Sequence, residues 1–204
     1  MPVAGMPSRS RPSTFPVACT RRALLRLCGA GLVALVFPFA GALADVVPIK
    51  GAELRVEEGD VLLSAEFDLT LTSTLEEALQ KGIPLYFTIE FELMRPRWYW
   101  LDEKISQWSI TYRVSYSALT RQYRVATGAF GQAFESLEEV ERFIGRVASR
   151  PVARADALVK GSRYDAALRI KLDVDKLPKP FQIDALASRE WQLASDWHRW
   201  TFVP

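Results

Sequence analysis

Residues 85–93, with the sequence LYFTIEFEL, decide the fold. Apolar side chains occupy every second position, and Thr88, Glu90 and Glu92 stand between them. A period of two is that of a β-strand with one apolar and one polar face. A parallel strand covered on both faces would show a continuous apolar run, so the pattern predicts an antiparallel sheet with one face in water.

Several other stretches repeat this alternation. Long strands are predicted over residues 61–71, 108–116 and 164–174, and shorter ones over residues 52–57, 122–127 and 181–186. Gly59, between the first two predicted strands, is free to adopt the positive φ of a tight turn. The chain therefore reads as a succession of antiparallel strands.

Two capping boxes predict two helices among the strands. Residues 73–76 (STLE) begin the first, and Gly82 closes it. Residues 136–139 (SLEE) begin the second, whose apolar stripe continues to Val147 before Pro151. About eight strands with two short covering helices predict a mainly β fold, an antiparallel two-sheet β-sandwich that is Ig-like in general architecture. An open or closed barrel is the alternative.

Residues 1–44 have the features of an export signal. They contain no acidic residue, carry arginines at positions 21, 22 and 26, and continue into an apolar run over residues 27–43. Small residues at Ala42 and Ala44 fit a signal peptidase. We expect cleavage after about Ala44, a single β-rich domain over residues 45–204, a periplasmic location, and membrane contact only through the leader before cleavage.

Two properties of the leader stay open in the sequence. A retained anchor is the alternative to cleavage, although the apolar run is short for a membrane span, which needs about 20 residues. The segment 20-TRRALLR-26 resembles a twin-arginine signal, and an ordinary secretory leader with two adjacent arginines explains it equally well.

Removing the leader changes the charge of the protein. It holds five of the 26 basic residues and none of the 24 acidic ones, which leaves 21 basic and 24 acidic residues and a formal charge of −3. A nucleic-acid partner therefore loses its electrostatic basis. Both cysteines, Cys19 and Cys28, also lie in the leader, so the remaining domain has no disulfide and no thiol nucleophile.

The domain shows no catalytic or cofactor motif, and we expect no cofactor. Its single histidine, His198, has no second imidazole or thiolate with which to hold a metal ion. Glu90 and Glu92 share one strand face about 7 Å apart, a separation that a carboxylate-based hydrolase could use. The other interpretation is a polar outer face, on which these acids pair with Arg113 or Arg124.

Aromatic and basic residues concentrate in two segments, which supply the candidate binding residues. Residues of these types dominate binding hot spots when exposed. For the first segment, the other interpretation buries one set of rings in the core and places the tyrosine at the sheet edge. For the tail, it is a last strand docked on the sandwich after a rigid, extended connector over residues 177–180. The candidates are Arg95, Arg97, Trp98, Tyr99, Trp100, Trp197, His198 and Trp200.

Four segments together resemble one known family. They are 95-RPRWYW-100, 112-YRVSYSALTRQY-123, 177-LPKP-180 and 191-WQLASDWHRW-200. Over about residues 46–200 the chain resembles the exported proteobacterial domain-of-unknown-function family DUF4390. The resemblance carries over no activity and no catalytic residues. Members of the family are commonly encoded beside a nitrogen-regulation-type sensor histidine kinase, which implies a protein partner such as the ectodomain of that kinase.

The sequence therefore favours a periplasmic, non-enzymatic binding domain that modulates an envelope sensor kinase pathway. One alternative is a cofactor-free carboxylate hydrolase acting on envelope glycans. The other is an envelope assembly factor that adds a partner strand to an open sheet edge.

Overall fold

Residues 47–99 and 101–204 are described by the computed structural model. The predicted leader, with its cleavage site, and the candidate residue Trp100 lie outside the described residues. Within them the chain is mainly β, with two antiparallel sheets that do not close into a barrel. The predicted fold class is confirmed.

Nine strands and three helices make up the described part of the chain. The strands are β1 (Ile49–Glu57), β2 (Asp60–Phe67), β3 (Leu85–Arg95), β4 (Glu103–Ser117), β5 (Gln122–Thr127), β6 (Phe130–Phe134), β7 (Arg146–Arg154), β8 (Tyr164–Leu172) and β9 (His198–Phe202). The helices are α1 (Ser73–Gln80), α2 (Leu137–Ile144) and α3 (Lys179–Ala187), and single 3₁₀ turns lie at 155–157, 174–176 and 189–191.

The stretch that decides the fold lies at the centre of the larger sheet. That sheet has the order β6-β5-β4-β3-β8-β9, and the smaller one has the order β1-β2-β7. In β3, Ile89 stands opposite Ile110 of β4 and Ile170 of β8. The apolar residues of β3 are buried in one cluster with Leu63 and Phe67 of β2, so the alternation places both sheets around a shared core.

The first helix begins one residue earlier than its capping box predicts. The side chain of Thr72, and not that of Ser73, accepts a hydrogen bond from the Leu75 N–H. Any of several adjacent hydroxyl residues can cap a helix, and the backbone geometry decides between them. Gly82 has φ +81° just beyond the helix, as its predicted closing role requires.

The second helix is capped by Ser136 as predicted, and it ends sooner than expected. Gly145 follows its last residue, and Val147 belongs to the edge strand β7. Pro151 lies within β7, beside a register shift against β2. A proline is tolerated on an edge strand or at a bulge, so Pro151 does not interrupt the strand.

The segment between β8 and the tail differs most from the prediction. Residues 181–186 were expected to form a strand and lie in α3, and the expected extended connector ends inside the first turn of that helix. A proline fits there because the first turn needs no N–H from it. Phe181 and Ala185, four positions apart, lie on the side of the helix that faces the core. The centroids of the Phe181 and Trp191 rings are 6.4 Å apart.

Strand ends and short strands are the remaining differences. Alternation continues past the ends of β2 and β8 and does not indicate β6, β7 or the first residues of β1 and β4. The expected last strand begins only at His198. Among the helices described here, none is both long and apolar enough to cross a membrane.

Candidate functional site

The connection between β3 and β4, residues 96–102, is called the hairpin tip. Trp98 and Tyr99 occupy a turn there, with their rings edge to face at 5.1 Å between centroids. Trp98 is 94% exposed, Tyr99 66% and Leu101 81%. The interpretation that buries the tryptophan rings is therefore wrong for Trp98, and Tyr99, which it places at the sheet edge, lies on the exposed turn instead.

Ion pairs hold the base of the hairpin tip. The guanidinium groups of Arg95 and Arg97 both pair with the Glu103 carboxylate. The distance from a guanidinium nitrogen of Arg97 to the carboxylate oxygen is 2.5 Å. The Arg97 N–H donates to Asp102 at 3.3 Å, which closes the turn. The hydrogen bond from Arg97 is the main cause of a lowered pKa at Glu103. Both candidate arginines thus position the turn, and the exposed side chains of Trp98, Tyr99 and Leu101 make its surface aromatic and aliphatic.

The candidate residue Trp197 lies on the outer, polar face of the larger sheet. The guanidinium carbon of Arg169 lies 4.3 Å from the centroid of the Trp197 ring, within the range of a cation–π contact. Arg169 also donates to Glu90 at 2.6 Å, and the Lys171 ammonium pairs with the same carboxylate at 2.9 Å.

Glu90 is held in its ionised form. Burial raises its pKa, but the hydrogen bonds from Lys171 and Arg169 outweigh burial and lower it. The interpretation of Glu90 as an ion-paired residue of the outer face is borne out, with partners on β8 and not the expected Arg113 or Arg124. A general acid needs a raised pKa, so Glu90 is unsuited to that role.

The other two tail candidates belong to β9. Trp200 is half-buried, and its ring lies 6.3 Å from the ring of the core residue Phe91. The half-buried His198 ring lies 5.4 Å from that of Trp200. These contacts give Trp200 a packing role and leave Trp197 as the tail aromatic on the outer face.

A shallow groove of about 640 Å³ is lined by a residue of the hairpin tip and by residues of the tail. Asp102 lines it from the hairpin tip, Met94 from β3 and the small residue Ala167 from β8, and the tail contributes Trp197, Arg199 and Trp200. The fold therefore brings both segments, far apart in the sequence, to one region of the surface.

A larger groove of about 1040 Å³ lies elsewhere, bounded by α2, β6 and the end of β2; it is called the α2 groove. No local sequence pattern predicts this groove, because its walls come from segments distant in the chain. Five acidic and three basic side chains line it: Glu66, Asp68, Glu138, Glu139 and Glu141, and Lys50, Arg142 and Arg146.

Glu141 in the α2 groove has a raised pKa. Burial is the largest cause, opposed by the hydrogen bond from the Leu71 N–H at 2.7 Å, with Glu138 and Glu76 adding to the rise. A raised carboxyl pKa in an acidic groove is one condition of the hydrolase alternative. The carboxylate is nevertheless engaged with the backbone, and this bond fixes the segment after β2. The hydrolase alternative stays a prediction.

Within residues 47–99 and 101–204, no three histidine, cysteine, aspartate or glutamate residues cluster closely enough to hold a metal ion. In the same residues every buried side-chain nitrogen or oxygen has a hydrogen-bond partner. The described side chains thus offer no orphaned polar group that points to a missing ligand.

Comparison with protein families gives one match. A family model described as a domain of unknown function, DUF4390, matches residues 44–201. No curated protein and no solved structure matches the chain.

Proposed function

This chain belongs to the DUF4390 family, whose domain has no known function, and on that premise we propose that it is an exported, non-enzymatic binding domain that contacts a protein partner through its hairpin tip. The observation that carries the proposal is the exposure of Trp98, Tyr99 and Leu101 together on one turn. Contiguous exposed apolar surface is uncommon on monomeric proteins and marks interaction sites.

The rigidity of the hairpin tip supports this function. The ion pairs of Glu103 with Arg95 and Arg97 fix the turn before any partner arrives. A preorganised surface loses less conformational entropy on binding than a flexible one. The two-ring contact of Trp98 and Tyr99 likewise presents large area at low entropic cost.

The partner we propose is the ectodomain of a sensor histidine kinase in the periplasm. The support for the location is the leader pattern of residues 1–44, together with a family match that begins at residue 44. The support for the kinase is the gene neighbourhood of the family. The groove beside the hairpin tip carries charges of both signs, including Asp102 and Arg199, which suit a polar rim around an aromatic centre.

The test is a titration of the purified protein with the kinase ectodomain. Truncating a hot-spot aromatic costs about 2 kcal/mol or more, so Trp98→Ala should weaken binding about 30-fold. Leu119→Ala is the matched control, because Leu119 is 95% exposed and lies beyond the far end of the 15-residue strand β4, about 50 Å from the hairpin tip. Equal affinities of the two variants would reject the hairpin tip, and no binding by the unmodified protein would reject the kinase.

A further inference from the structure

We propose a second binding site, independent of the hairpin tip: β6 accepts an additional antiparallel strand from a basic, extended segment of another protein, which lies along the α2 groove. The site combines three observations, namely an open sheet edge, a groove beside it and a negative charge in that groove.

The open edge presents unpaired backbone groups. In the described residues β5 is the one strand that neighbours β6, and a two-residue turn with Gly128 at φ +58° joins them. The closing pair of such a turn, Thr127 and Phe130, exchanges backbone hydrogen bonds, and the bonded pairs then alternate. By this register the N–H and C=O groups of Gly131 and Ala133 point away from β5.

The edge also lacks side-chain protection against strand addition. Proteins guard open edges with charged residues, prolines or bulges. The other edge strands carry such residues: Lys50 and Arg55 in β1, Pro151 in β7 and Arg199 in β9. The sequence of β6, FGQAF, has no charge and no proline, and its residues are exposed up to Phe134.

The α2 groove has the size and composition for an extended segment. Its volume of about 1040 Å³ is at the upper end of ordinary ligand pockets. Phe134 and Phe143, with ring centroids 5.1 Å apart, form an apolar wall beside β6. One side chain of an added strand can pack there, while its backbone bonds to the edge.

The charge of the groove identifies the occupant as basic. Five acidic side chains face three basic ones, and Lys50 is already paired with Asp68 at 3.1 Å. Glu138, on the exposed side of α2, is free to meet a lysine or arginine of the added segment because the Arg142 guanidinium bonds its backbone carbonyl and not its carboxylate. The same charge disfavours a second copy of this chain, since pairing two β6 strands would bring two acidic grooves together.

The test uses three short synthetic peptides: one alternating lysine and valine, one alternating glutamate and valine, and a lysine–valine peptide N-methylated at alternate residues. We expect the lysine peptide to bind about tenfold or more tightly than the glutamate peptide, and the N-methylated peptide to lose this affinity, because it cannot complete a β-ladder. Equal binding of the methylated peptide would reduce the site to a charged surface and overturn the proposal.

Two variants of the protein locate the site. Ala133→Pro removes an outward N–H without removing a bond to β5, so it should weaken binding of the lysine peptide about tenfold. Ala133→Ser is the control, because it keeps the N–H and should bind the peptide with unchanged affinity. Glu138→Lys leaves the edge intact and should weaken binding by a similar factor, so it decides the matter if Ala133→Pro fails to fold. Unchanged affinity of Glu138→Lys for the lysine peptide would overturn the proposal. So would dimers of the protein that form without peptide and disappear in Ala133→Pro, because the edge would then bind a second copy of the chain.

Discussion

Ser195 joins the tail to β8, and its replacement by alanine tests whether the tail is docked as the structure shows. Its hydroxyl accepts a hydrogen bond from the Ile170 N–H at 3.0 Å, and its own N–H donates to the Ile170 carbonyl at 2.8 Å. The ladder between β8 and β9 ends at Leu168 opposite His198. The hydroxyl therefore satisfies a β8 N–H that β9 does not reach.

The expected cost follows from the burial of this bond. Ser195 is 8% exposed, and Ile170 is buried. Ser195→Ala leaves the Ile170 N–H buried without a partner, which costs about 1–3 kcal/mol. For a domain of this size a loss of about 2 kcal/mol lowers Tm by about 4–8 °C.

Urea unfolding followed by circular dichroism measures this loss. The matched control is Ser109→Ala, which removes an exposed hydroxyl from the outer face of β4. We expect the control to change the free energy of unfolding by less than about 0.5 kcal/mol. If Ser195→Ala costs no more than the control, the tail is not docked on β8 through this bond.

Two further substitutions test the packing around α2. Glu141→Gln keeps an oxygen for the Leu71 N–H and removes a charge. Because the folded-state pKa of Glu141 is raised, its ionisation costs stability as pH rises through that pKa. The variant should therefore be more stable than the unmodified protein at about pH 7 and lose this advantage below pH 4.5. An advantage that does not vary with pH would contradict this reasoning. Gly145→Ala would place a Cβ 2.8 Å from the Phe67 carbonyl oxygen and should lower the free energy of unfolding by about 1–3 kcal/mol. Gly51→Ala is the control, because its Cβ enters open space. Equal melting temperatures of the two variants would refute the close approach.

Alternation of apolar and polar residues predicted the sheets because burial on one face constrains every second position. It located β3 and β5 well, since both have a clear inner face. It failed for β6, whose residues are almost all exposed, and for β7, where Pro151 reads as a stop. It also mistook residues 181–186 for a strand, because the short α3 carries no clear apolar face to indicate a helix.

The candidate site was predictable by residue type and not by exposure. Clustered tryptophans fit a core as well as a binding surface, and only the position of the turn beyond the sheet places Trp98 and Tyr99 in water. The tail shows the opposite outcome, since Trp200 packs near Phe91. The α2 groove arises from tertiary contacts between distant segments, which no local pattern records.

The central claim is that the hairpin tip is the contact surface for a protein partner. Hydrogen–deuterium exchange of the protein, with and without the sensor kinase ectodomain, tests it most directly. The account predicts that the ectodomain slows exchange at the hairpin tip, over residues 96–102, and leaves the turn around Leu119 unchanged. Slower exchange elsewhere, with the hairpin tip unaffected, would contradict the account.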